Sequence, residues 1–170
     1  MNTLTKAQNK YEIELQSLER IICIMSYTSS ASCLMSSLFD NHPNVLMFPD
    51  NVIQSFEDFW QNNGALNINL LIDVFVDKYS IIFDARTLPK GYMGKAETGE
   101  ARGFTRLGPK QNEYLSVNIN NFKQNMEKYI GDVYPVSRKL FFKAIHLSYS
   151  KSLGRKIINP VIIKPITPHK

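Results

Sequence analysis

Apolar positions along this chain follow two rhythms. Short unbroken runs, Ile21-Ile22-Cys23-Ile24-Met25, Val45–Phe48 and Val161-Ile162-Ile163, have the length of buried strands. Elsewhere apolar residues recur every three or four positions, the period of a helix with one buried face. The spacing predicts helices over about Ser32–Phe39, Asn51–Gln61, Ile68–Tyr79, Val117–Tyr129 and Ser137–Leu153, with a short one near the polar N-terminus through Tyr11, Ile13, Leu15 and Leu18. His42-Pro43 closes the first of the larger helices, because a residue before proline avoids the α region. Gly154 is a natural stop for the last. Strands alternating with helices predict an α/β fold: a mostly parallel sheet flanked by helices in three layers, built as a single domain over residues 1–170.

Composition narrows the class. A chain of 170 residues with 44% hydrophobic and 21% charged residues is an ordinary globular domain with room for a core. Its two cysteines, Cys23 and Cys33, make neither a disulfide framework nor a zinc pattern, and Cys23 is expected as a small buried hydrophobe. His42, His146 and His169 show no ligand spacing, so no metal is expected. No apolar run approaches the roughly 20 residues of a membrane span, and no signal peptide is visible, so a cytoplasmic protein is expected. The net charge of +5 is unevenly spread: residues 133–170 hold eight basic residues and no acidic one. That segment suits either an anionic ligand or a solvated basic face. Nucleic acid is not expected, since no recognition motif accompanies the charge.

The candidate chemistry lies after the first strand. Ser26-Tyr27-Thr28-Ser29-Ser30-Ala31-Ser32 is a run of small and polar residues between a strand and a helix start. A helix N-terminus presents unpaired N–H groups and the positive end of its dipole, which together hold phosphate-like anions. The loop contains no glycine, lysine or arginine. Its alternative reading is a serine-rich turn that caps the helix through Ser32. A second unusual stretch, Lys90–Gly108, holds five glycines interleaved with Lys90, Lys95, Arg102 and Arg106, and reads as a functional loop or a surface insertion.

The strand–loop–helix resembles that of the P-loop-like sulfotransferases, which take a sulfuryl group from 3′-phosphoadenosine 5′-phosphosulfate (PAPS). Their pattern is an apolar strand, a Gly-x-x-Arg-Ser-Gly-Thr-Thr-Leu-Leu type loop, and Leu-Leu-Asp-x-His-Pro. Here Ser30 stands at the loop serine, Ser32-Cys33 at the threonine pair, Leu34-Met35 at the leucine pair, and Leu38-Phe39-Asp40-Asn41-His42-Pro43-Asn44-Val45 at the helix end. Ser26 and Ala31 replace the two glycines, and Ser29 stands where the family has Arg or Lys. No Arg-Asp-Pro-like motif, which in the family accompanies the 3′-phosphate site, occurs before Lys170. The resemblance covers about a fifth of the chain, which looks like the N-terminal part of such a domain.

The resemblance implies a P-loop nucleoside-triphosphate-hydrolase-like fold and PAPS as donor, with a hydroxyl- or amine-bearing acceptor on a carbohydrate or small metabolite. It implies that Tyr27, Thr28, Ser29, Ser30, Ala31, Ser32 and Cys33 wrap the 5′-phosphosulfate. A cation must then come from elsewhere, with Arg138, Lys143, Arg102 and Arg106 as candidates. Asp50, after Phe48-Pro49, stands where some members carry a base; its other reading is the N-cap of the next helix. His146 is a second candidate base, or a packed or surface histidine on a helix beside apolar neighbours. The competing expectation is a catalytically degenerate or truncated relative that acts as a binding or interaction module. A magnesium-dependent phosphoryl transferase is disfavoured, because no Gly-Lys-Ser/Thr is present.

Overall fold

The computed structural model of the chain describes residues 6–25, 35, 38–39, 42–49, 53, 55–87, 107–156 and 160–166. In chain order the elements are α1 (Lys6–Ser17), β1 (Ile21–Met25), β2 (Val45–Leu46), α2 (Phe56–Asn63), α3 (Ile68–Lys78), a 3-10 turn (Ser80–Ile82), α4 (Ile119–Ile130), α5 (Arg138–Ser152) and β3 (Val161–Ile166). The strands form a small open parallel sheet in the order β1-β3-β2, so the fold is α/β as the alternation predicts. Ile21 aligns with Ile162 and Met25 with Ile166, while Val45 aligns with Val161 and Leu46 with Ile162. β2 therefore ends before β3 reaches Pro165, which pairs only with Ile24 of β1. A proline has no N–H for a second ladder, so it is tolerated where β3 has one neighbour.

Helix limits follow their caps. Asn67, Asn118 and Ser137 each accept the backbone N–H three residues on, from Leu70, Asn121 and Leu140, and so start α3, α4 and α5. Gly154, at φ +73, takes the left-handed conformation that ends α5. The helix expected over Asn51–Gln61 begins instead at Phe56, after a turn in which the Phe56 N–H reaches the Ile53 carbonyl at 3.1 Å. Ser55 holds its N-cap position without a side-chain cap hydrogen bond, and Asp50, considered for a cap, lies outside the described residues. The apolar spacing misled because Ile53 and Phe56 are both buried although only Phe56 is helical.

The core is aromatic. Phe59, Phe75, Phe122 and Phe141 are completely buried where α2, α3, α4 and α5 meet, with Phe59 edge-on to Phe75 at 5.6 Å and Phe141 stacked on Phe59 at 6.1 Å. Phe83 and Val117 join it through a segment that pairs Asp84 with Ser116.

β1 departs from expectation. Ile22 is 50% exposed and Met25 58%, and Cys23 is exposed rather than buried. Successive strand side chains point to opposite faces, so both faces of β1 are open. Edge position alone is not the cause, because β2 is the other edge and its Val45 and Leu46 are buried; α5 packs against β2.

α1 packs on α4 and α5 through Tyr11, Leu15, and a polar contact in which the Tyr129 phenol donates to Glu14. Burial, then that hydrogen bond and the carboxylate's charge, hold Tyr129 above the ordinary phenol pKa of 10.0. Between these two pKa values the unfolded chain releases a proton that the folded chain keeps, so stability falls as pH rises through that window. Urea unfolding above about pH 10 should show this decline, and Tyr129→Phe should make it shallower. An unchanged slope in the variant would remove Tyr129 as the cause.

Candidate functional site

All three strands run the same way, so their carboxyl ends share one edge of the sheet. Open α/β sheets bind ligands outside that edge. The chain leaves β1 there at Met25 and enters the serine-rich loop, and leaves β2 there through Met47 and Phe48 towards Asp50. Tyr27, Thr28, Ser29, Ser30, Ala31, Ser32, Cys33 and Asp50 themselves lie outside the described residues, as does Lys90–Arg106.

The His-Pro turn that returns the chain to β2 is described. The His42 N–H donates to the Phe39 carbonyl at 3.2 Å, and the Val45 N–H donates to the His42 carbonyl at 3.1 Å. His42 Nδ1 accepts the Asn44 N–H at 3.2 Å. The imidazole thus stands in for a backbone acceptor, tying the turn to the start of β2. The next link is also backbone: the Asn44 carbonyl accepts the Val161 N–H of β3 at 2.8 Å.

His146 is the candidate site residue that the structure does describe. It is 2% exposed on α5, with its ring 4.6 Å from the Phe48 ring and 4.5 Å from the Phe142 ring. Its Nδ1 lies 2.8 Å from the Phe142 carbonyl oxygen. A carbonyl only accepts, so Nδ1 carries a proton and donates it to this bond. Burial between two phenyl rings matches the packed reading of this histidine. Through Phe48, which also meets Tyr149 at 4.7 Å, His146 braces the segment leading to Asp50. Tyr149 is fixed in turn by donating to the Ile82 carbonyl at 2.8 Å.

Leu46, Phe48, His146, Tyr149, Ser150 and Arg155 line a shallow depression along this contact, too tight to admit a water molecule. In the sequence, Arg155 stands out only as one of the basic residues of 133–170. The turn at Gly154 brings it back, with its N–H donating to the Ser150 carbonyl at 3.1 Å.

The two candidate cations among the described residues, Arg138 and Lys143, are engaged elsewhere. Arg138 Nη1 is 2.6 Å from Glu57 Oε1. Lys143 Nζ donates to the Leu15 carbonyl at 3.2 Å, in the segment that precedes β1 rather than the loop that follows it. Burial, then the neighbouring Lys139, lowers the Lys143 pKa below the ordinary amine value. Arg102 and Arg106 are outside the described residues. Among the described residues no group of three His, Cys, Asp or Glu side chains is placed to hold a metal ion, and no helix is long and apolar enough to cross a membrane. Comparison with protein-family models, curated proteins and solved structures finds no match to this chain.

Proposed function

We propose that the chain is a PAPS-dependent sulfotransferase-like protein whose donor loop is Tyr27–Cys33, within a three-layer P-loop-like α/β domain. The observation that carries this reading is the direction of β1: it is parallel to β3, so the hydroxyl-rich loop leaves from the ligand-binding edge of the sheet. The His42 turn supports it, because His42-Pro43-Asn44-Val45, part of the segment that carries the resemblance, forms a hydrogen-bonded turn into β2.

In this reaction an acceptor hydroxyl or amine attacks sulfur. A new S–O or S–N bond forms as the bond from sulfur to the bridging phosphate oxygen breaks. 3′-Phosphoadenosine 5′-phosphate (PAP) leaves with the electron pair, and a base takes the acceptor's proton. Sulfuryl transfer of this kind depends on positioning and charge stabilisation. Backbone N–H groups and the Thr28, Ser29, Ser30 and Ser32 hydroxyls would hold the phosphosulfate, and Asp50 would take the proton. His146 acts by supporting the approach to Asp50.

A second reading, a binding module without turnover, is favoured by one specific observation. Arg138 and Lys143, the described cation candidates, are already held by Glu57 and the Leu15 carbonyl.

Titration with PAP by calorimetry tests both. Saturable binding is expected, and Ser30→Ala or Ser32→Ala should weaken it about tenfold or more, since a hydrogen bond to a charged group contributes about 1.5–3 kcal/mol. Release of PAP from PAPS in the presence of hydroxyl acceptors supports the enzyme, and binding without release supports the module. Failure of the intact chain to bind PAP overturns the enzyme reading.

A further inference from the structure

The attachment of α1 is built differently from the rest of the fold. Glu14 accepts the Tyr129 phenol and lies 2.7 Å from Lys151 Nζ, and the Glu14 and Lys151 side chains are only 16% and 18% exposed. The Lys151 ammonium stands 4.0 Å over the Tyr11 ring and 5.0 Å over the Tyr129 ring, and these rings meet edge-on at 4.9 Å. Lys143 holds the Leu15 carbonyl, one of the last four in α1 that lack an intrahelical donor. Apolar support is thinner: Tyr11 and Leu15 are half-buried, and Ile13 is 57% exposed. A 12-residue helix is marginal on its own in water, so α1 depends on its docking.

We propose that α1 is a releasable strap, locked by the Glu14–Lys151–Tyr129 cluster, and that its docking sets the position of β1. Three residues separate the two elements. Leu18 is completely buried, and the Arg20 carbonyl accepts the Ile162 N–H of β3 at 3.1 Å. Any displacement of α1 therefore pulls on the first rung of the β1–β3 ladder. β1 in turn runs directly into the loop at Ser26. The consequence for donor binding rests on the function proposed above, whereas the strap itself does not. Elements with few buried contacts are the ones that open locally, below the free energy of global unfolding.

Hydrogen exchange of the full chain, read by mass spectrometry, tests the strap. Lys151→Met keeps the apolar stem and removes the charge, and Glu14→Gln removes the partner charge. Both should speed exchange over residues 6–17 at least tenfold while residues 138–152 keep wild-type rates. Lys143→Met, which loosens the other contact, should do the same if either variant proves unstable. Exchange of residues 6–17 that stays unchanged, or that accelerates only together with residues 138–152, overturns the proposal. Loss of PAP binding in every form, wild type included, overturns the proposed function and leaves the strap standing.

Discussion

Replacing Phe141 by alanine should lower unfolding stability by about 3–5 kcal/mol, the range for truncating a fully buried aromatic residue. Phe141 is 0% exposed and sits in the middle of the aromatic core. Its ring is 6.4 Å from that of Phe56, 6.1 Å from Phe59, 5.7 Å from Trp60 and 6.0 Å from Phe75. These neighbours belong to α2 and α3, whereas Phe141 is carried by α5, so one side chain joins three helices. Its removal leaves a cavity lined by rigid rings, which fill space poorly by small rotations. Aromatic pairs also contribute about 0.5–1.5 kcal/mol beyond area burial. Domains of this size have total stabilities of only about 5–15 kcal/mol, so the variant should be partly unfolded at moderate urea. Phe141→Leu keeps most of the volume and should cost clearly less. A loss under about 1 kcal/mol for the alanine variant, against the range expected for such truncations, would show that the core is not packed around this ring.

Much of this core is readable in the sequence because helices announce themselves twice, by apolar period and by caps. α3 and α5 have both signals: Asn67 and Ser137 at the start, and Gly154 after the second. α2 has a period that runs on through a turn, and no side-chain cap, so its first residues could not be separated from the turn before it. The pairing of Asp84 with Ser116 has no periodic pattern at all, because a single bridge imposes none. At the site, the hydroxyl-rich loop and the His-Pro turn are readable as local chemistry. The hydrogen bonds of His42 agree with the structural role that its place before proline suggests. The packing of His146 beside Phe142, four residues earlier on the same helix, is legible in the sequence, but its partner Phe48 is not, since Phe48 comes from nearly a hundred residues away. The engagement of Arg138 by Glu57 was equally hidden, because charge counts along a chain say nothing about which opposite charges fold beside them.

The sharpest test of what sequence could not tell is a pair of identical substitutions in two strands that look alike. Ile22 and Ile162 both lie in short unbroken apolar runs, and the register places them one step apart on paired strands. Ile162 is completely buried in the middle strand, opposite Ile21 on one side and Leu46 on the other. Ile22 lies on the edge strand and is half exposed. Ile162→Ala should therefore cost about 2–5 kcal/mol, as the transfer loss of a large aliphatic side chain is joined by a cavity between two strands. Ile22→Ala should cost under about 1 kcal/mol, because half its area already faces water and no sealed cavity is left. Urea denaturation of the two variants side by side measures the difference directly. Equal losses would mean that β1 is covered in solution, and the open faces of that strand would have to be abandoned. A large difference ties the sheet's stability to β3, the strand that holds both β1, with its loop, and β2 in register.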